Sequence, residues 1–243
     1  MLYNRFLTYL LIAVFAISAV FTACKPDDEN DINEIITITT TSSKVYLNFT
    51  AYIESITINW GDVPIDELFT SSSFYFRLNH EYLSNSTHTI TIKGAVRELW
   101  FPNNSQLKAL DLSKSTALKG LVCPGSGLRA LDLSKCTTLE YLHCQGNQLT
   151  TLDLSKCTTL EKLFCSYNQL TTLDLSNCTA LTKLYCQNNN FSANALNTLF
   201  GTLHSNNFPD DEKQIFIADN PGTEECDVTI AEKKGWIVNK YEK

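Results

Sequence analysis

The feature that most restricts the fold is self-similarity. Residues 139–159 (LEYLHCQGNQLTTLDLSKCTT) span 21 positions, and residues 160–180 nearly copy them. A looser copy begins at Leu118 and a partial one at Leu181. Leu99 stands 22 positions before Leu121, so residues 96–117 form a divergent opening turn. A unit this short cannot bury its own apolar face. Successive units must stack, each covering the next, so that the core becomes a continuous column.

The period also assigns the inward positions. Leu121, Leu142, Leu163 and Leu184 form one column, and Cys123, Cys144, Cys165 and Cys186 the next. Leu131, Leu152 and Leu173 line the opposite wall, followed by Leu133, Leu154 and Leu175. Asn104, Asn147, Asn168, Asn189 and Asn220 are expected to turn inward, where their amides satisfy loop backbone groups; Ser126 interrupts that ladder. The frame L-x-x-L-x-C-x-x-N-x-L resembles the leucine-rich repeat, with Cys in place of one Leu. It is similar to the 21-residue repeats of Bacteroidetes surface lipoproteins, often found behind a PKD-like domain.

The chain has nine cysteines. Cys136, Cys157 and Cys178 recur at the same period in a second column. A metal needs clustered ligands converging on one point, which one thiol per turn does not give. Buried thiols acting as small hydrophobes fit the period directly, and no metal or cofactor is expected. Asp111, Asp132, Asp153 and Asp174 recur in the same way, each followed by Leu-Ser. A solvated turn is the expectation there rather than a calcium site, since no loop supplies convergent oxygens. No H-E-x-x-H or G-x-S-x-G frame is present, and no nucleophile–base pair is legible, so the chain is read as non-enzymatic. A net charge of −7 argues against nucleic acid as a partner.

The residue after each inward Leu or Ile points out of its strand. That column reads Trp100, Val122, His143, Phe164, Tyr185 and Phe216, with Tyr141 beside it and Lys162 and Lys183 in the same flanking column. At one strand spacing per turn it is about 25 Å long. Trp100, Tyr141, His143, Phe164, Tyr185 and Phe216 are therefore the candidate ligand-binding residues. Aromatics also favour strands for packing between rungs, so the stripe either binds or only packs.

Before the repeats, residues 34–94 alternate with period two through Ile36-Thr37-Ile38, Val45-Tyr46-Leu47 and Ile56-Thr57-Ile58. Ile58-Asn59-Trp60-Gly61-Asp62, His80-Glu81-Tyr82 and the strand from His88 to Gly94 resemble a PKD-like, immunoglobulin-type domain. Val63 replaces the glycine that often follows the aspartate. A histidine fixed by a backbone hydrogen bond is expected at position 80. After the repeats, Ala195, Leu196, Leu199, Phe200 and Leu203 have helical spacing, with Ser192 as N-cap. Ile215 to Asn220 adds one rung, and residues 227–234 a short helix closed by Gly235.

At the start, Arg5 is the only charge before Lys25, and the stretch between them is largely apolar. This describes an export signal. Phe21-Thr22-Ala23-Cys24 resembles a bacterial lipobox, which implies lipidation of Cys24 and a membrane anchor through it. An uncleaved anchor helix or an ordinary signal peptide are the other readings; Phe21 stands where ordinary cleavage wants a small residue. The acidic run after Cys24 reads as a tether. It resembles export signals that send Bacteroidetes lipoproteins to the outer face of the outer membrane.

The expected organisation is therefore a signal peptide (1–23), an acidic tether (24–33) and a PKD-like β-sandwich (34–94). Leucine-rich repeats (95–190) and a C-terminal cap with the last rung (191–243) follow. The fold class is mostly β with short capping helices. The functional expectation is a cell-surface binding or adhesion lipoprotein, outer-membrane and outward-facing, that recognises a protein or glycan through the concave repeat face. The alternative is a passive spacer or envelope assembly subunit.

Overall fold

The computed structural model describes residues 34–241 except 54, 63–64, 72–73, 103–105 and 209–212. The expected signal peptide, Cys24, the tether and Asn104 lie outside the described residues.

The first six strands are β1 (Ile35–Thr40), β2 (Lys44–Ala51), β3 (Ser55–Asn59), β4 (Glu67–Thr70), β5 (Tyr75–Glu81) and β6 (His88–Lys93). In β1 to β3 the alternation is strict: Ile36, Ile38, Val45, Leu47, Phe49, Ile56 and Ile58 are buried and their neighbours are not. Two antiparallel layers result, since a period-two strand has one apolar face to cover. β7 (Val96–Trp100) and β8 (Leu107–Lys114) open the repeats. Short strands β9 (Gly120–Val122), β10 (Tyr141–His143), β11 (Lys162–Phe164) and β12 (Lys183–Tyr185) carry one rung each. Helix α1 (Ala193–Thr202), β13 (Lys213–Phe216), α2 (Thr229–Glu232) and β14 (Trp236–Asn239) close the chain.

Both sheets run across the boundary expected between residues 94 and 95. The nine-stranded sheet has the order β14-β13-β12-β11-β10-β9-β7-β2-β5, parallel from β14 to β7 and antiparallel beyond. The five-stranded sheet, β4-β3-β6-β1-β8, ends on the return strand of the first repeat. Glu34 fastens the junction, its carboxylate accepting from Thr116 Oγ1 (2.6 Å) and the Ala117 amide (2.8 Å). One apolar core extends from Ile36 to Trp236 without a break. The sandwich thus covers the open end of the first rung, which solenoids need.

Within the repeats, the Leu and Cys columns are fully buried. All eight described cysteines are free. The asparagine ladder is in place at four positions. Asn168, for example, accepts from the Leu149 amide at 3.0 Å, while its Nδ2 donates to the carbonyls of Cys144 and Cys165 at 3.0 Å. Asn147, Asn189 and Asn220 repeat this pattern. A threonine ladder ties the opposite corner: Thr138 Oγ1 donates to Thr116 O and Leu118 O, and Thr159 Oγ1 to Thr137 O and Leu139 O.

Ser192 caps α1, accepting from the Ala195 amide at 3.2 Å, and Leu196, Leu199 and Phe200 are buried. The short final helix is four residues long, closed by Gly235 in the left-handed region (φ +79°). Trp236 seals the end, its indole donating to His204 O while His204 Nε2 bonds Leu181 O.

Candidate functional site

Strand register places the expected stripe in line. Trp100, Val122, His143, Phe164, Tyr185 and Phe216 pair one to the next across adjacent strands. The column continues at both ends, to Asn239 on β14 and to Asn48 and Arg77 on β2 and β5. It therefore crosses all nine strands, about 38 Å at one strand spacing each.

The rings are not arranged alike along it. Phe164 and Tyr185 stack with centroids 4.5 Å apart, 8° from parallel, and Tyr185 and Phe216 at 4.3 Å and 5°. Their planes stand across the column, so faces meet neighbouring rings and edges point outward. His143 meets Phe164 at 42°, as does Tyr141 at 43°. Trp100 meets Tyr75 of β5 at 57°. All of these except His143 are half-buried or more exposed.

His143 departs from the expectation of an outward-displayed residue: it is only 8% exposed. It lies beside Phe164, with its Nε2 bonded to Gln145 Oε1 at 3.2 Å. Because the carboxamide oxygen accepts, Nε2 carries the proton and Nδ1 is left as an acceptor, with no partner in the protein. Burial holds the imidazole below its ordinary range, hence neutral. Thr50 Oγ1 and Gln187 Oε1, on flanking positions of this same face, are likewise buried and unpartnered. A buried polar group left without a partner costs about 1–3 kcal/mol.

The flank toward the strand starts reads Thr50, Glu98, Gly120, Tyr141, Lys162, Lys183, Gln214 and Ile237, one per strand. Burial pushes the Tyr141 hydroxyl up to about 12 and raises Glu98 above the ordinary carboxylate range. The other flank carries Pro124, Gln145, Ser166 and Gln187.

Tyr167 escaped the sequence reading. The residues before Ser126 and the inward asparagines, Gly125, Gly146, Tyr167, Asn188 and Asp219, all adopt left-handed backbone, with φ from 52° to 71°. Gly, Asn and Asp tolerate this conformation; a tyrosine is strained there. Tyr167 is 47% exposed on the rim of the concave face. Gly125, Gly146, Asn188 and Asp219 at the matching positions were the available signal.

Elsewhere, Asp111, Asp132, Asp153 and Asp174 each accept from the amide of the serine two residues on. They are exposed, and no group of three metal-ligating side chains occurs among the described residues. Trp60, His80, Tyr82 and His88 gather in one stack: Trp60 lies on His80 at 4.7 Å, and Tyr82 on His88 at 3.6 Å. His80 is held by Asp62 at 2.7 Å rather than by a backbone group. Tyr82 donates to Trp60 O, so the cluster fastens the sandwich corner.

A family model described as "Leucine Rich repeats (2 copies)" matches residues 137–175 and 158–200. Among solved structures, a similar chain is described as "Functional domain of InlJ from Listeria monocytogenes includes a cysteine ladder". It is 28% identical to this chain, with a TM-score of 0.46; the likeness covers 57% of this chain and 28% of that one. No curated protein matches the chain.

Proposed function

We propose that this leucine-rich-repeat solenoid is a non-enzymatic binding module whose concave face recognises a protein. The observation that carries the proposal is the in-register ridge of Trp100, Phe164, Tyr185 and Phe216, aromatic and partly open to solvent. Rings of this kind dominate protein interfaces. Sugars stack on aromatic faces, and three of these rings have faces closed by one another, which favours a protein over a glycan. The buried unpartnered acceptor on His143 adds a position where a partner's donor recovers a lost hydrogen bond.

Display is part of the same proposal. The lipobox-like Phe21-Thr22-Ala23-Cys24 supports a lipid anchor, and the acidic run behind it supports transfer to the outer face of the outer membrane. The sandwich, PKD-like in its Trp60, Asp62, His80 and Tyr82 cluster, acts as the membrane-proximal cap of the solenoid. A passive spacer is the second reading; the 4.3 Å stacking of Tyr185 on Phe216 favours it, since rung packing alone uses these rings.

Arrays of immobilised extracellular proteins and of polysaccharides separate these readings. Protein binding lost in Trp100→Ala and Tyr185→Ala, with melting temperature little changed, supports the module. Binding untouched by both substitutions, or confined to polysaccharides, contradicts it. Protease shaving of intact cells, with and without Cys24→Ser, tests display.

A further inference from the structure

Beyond the repeats the concave sheet runs on across β7, β2 and β5, and strand register sets six side chains there in two rows of three. Arg77, Asn48 and Trp100 stand opposite one another in one row, and Tyr75, Thr50 and Glu98 in the other. All six leave their strands on the side away from the core, since the residues between them, Phe49, Phe76 and Leu99, are buried. The patch measures about 10 Å by 7 Å, two strand spacings by one residue pair.

Its two aromatic rings occupy diagonal corners. Tyr75 and Trp100 meet across β2 with centroids 6.3 Å apart and planes at 57°. They form a V rather than the stack of Phe164, Tyr185 and Phe216, so neither ring covers the other's face. β5 ends the sheet, and Tyr75 is 42% exposed on it. The π face of an aromatic ring is negative, and the C–H groups of a pyranose are the partly positive surface that lies on it. Thr50 stands between the two rings in the register, with its Oγ1 buried and without a partner.

The other two corners hold Arg77 and Glu98. Among the described residues, neither Asn48 nor Arg77 has a hydrogen-bond or ion-pair partner, and no group donates to the Glu98 carboxylate. Both signs of charge thus stand on one small patch, two strands apart. An acidic ligand brings like charge to Glu98, and a basic one brings it to Arg77. A hydroxyl both donates and accepts, so a ligand rich in hydroxyls satisfies the guanidinium, the amide and the carboxylate together.

Independently of the protein-binding reading above, we infer that this patch on the sandwich is a subsite for a neutral saccharide. A sugar ring lies on the V of Tyr75 and Trp100. Its hydroxyls accept from Arg77 and donate to Glu98, and one that enters between the rings gives Thr50 Oγ1 its missing partner. Trp100 is the residue this subsite shares with the aromatic ridge.

The probes are soluble polysaccharides cast into native gels, through which the full chain migrates. Dextran, galactomannan and xyloglucan are the neutral arms, and polygalacturonate is the acidic one. At least one neutral polymer is expected to slow the chain. Tyr75→Ala and Arg77→Ala are expected to weaken that binding at least about tenfold, with melting temperature little changed. Tyr75→Phe keeps it, as does Tyr185→Ala on the ridge. No retardation by any neutral polymer, retardation by polygalacturonate alone, or retardation indifferent to Tyr75→Ala and Arg77→Ala overturns the inference. Retardation through Tyr75 without capture of any protein on the array removes the protein-binding reading and leaves this one standing. Protein capture through Tyr185 without retardation does the reverse.

Discussion

Phe164 and Tyr185 sit on adjacent parallel strands with ring centroids 4.5 Å apart and planes 8° from parallel. Residues one repeat apart in sequence thereby become face-to-face neighbours, and what they offer to solvent is an edge. Such pairs add about 0.5–1.5 kcal/mol beyond their area burial. The same rings therefore hold rungs together and form the ridge of the concave face.

Asn168 bonds four buried backbone groups at once: its Oδ1 accepts from the Leu149 amide, and its Nδ2 donates to the carbonyls of Cys144, Cys165 and Ser166. Asn168→Ala strands the Leu149 amide and takes one of two ladder donors from each of the Cys144 and Cys165 carbonyls, which keep Asn147 and Asn189, and is expected to cost about 1–3 kcal/mol. Urea denaturation checks this. A loss below about 1 kcal/mol contradicts the role assigned to the ladder.

The cysteine column acts as apolar packing. Burial pushes the Cys144 thiol up to about 12, and that of Cys165 well above its ordinary value. Native protein at mild alkaline pH is expected to resist thiol reagents until it unfolds. Cys165→Ser is expected to destabilise more than Cys165→Ala, because a hydroxyl is costlier to bury than a methyl. The reverse order indicates a hydrogen-bonding or ligand role for the thiol.

Acid should weaken the fold through its buried imidazoles. Burial depresses both His143 and His204. The unfolded chain protonates them near pH 6.5, roughly, while the folded chain resists until lower pH. The contribution is complete above that unfolded value and is lost as pH falls through the folded ones. Melting temperature is expected to drop on acidification from about pH 7 to 5, and His143→Phe should flatten part of the drop. A flat profile across that window contradicts it.

The sandwich supplies strand partners to the first rung: β2 pairs with β7, and β1 with β8. A fragment beginning at residue 95 loses both partners and the Glu34 contacts. It is expected to lack a cooperative thermal transition by circular dichroism, whereas the chain from residue 34 shows a single one. Cooperative melting of the fragment contradicts the capping role.

The repeat made much of this legible. Leu, Cys and Asn recur at fixed spacing, so their columns follow from the period alone, and Ser192 marked the start of α1. The continuity of the sheets was hidden. Antiparallel pairing of Phe49 with Leu99 joins residues fifty positions apart, and such long-range pairing has no local signature. The burial of His143 was hidden for a related reason. Period two predicts which way a side chain leaves the strand, but not that Phe164 and Gln145 close over it. Tyr167 broke a Gly/Asn/Asp pattern and so concealed the left-handed position it occupies.

Photo-crosslinking from the two faces separates a binding ridge from rings that only pack. A benzoylphenylalanine is placed at position 164 on the concave ridge, and in a second protein at position 153, among the exposed aspartates of the opposite wall. Each is irradiated against the extracellular protein captured on the array. A covalent adduct is expected from position 164 and none from position 153. Adducts from both faces alike, or from position 153 alone, contradict it.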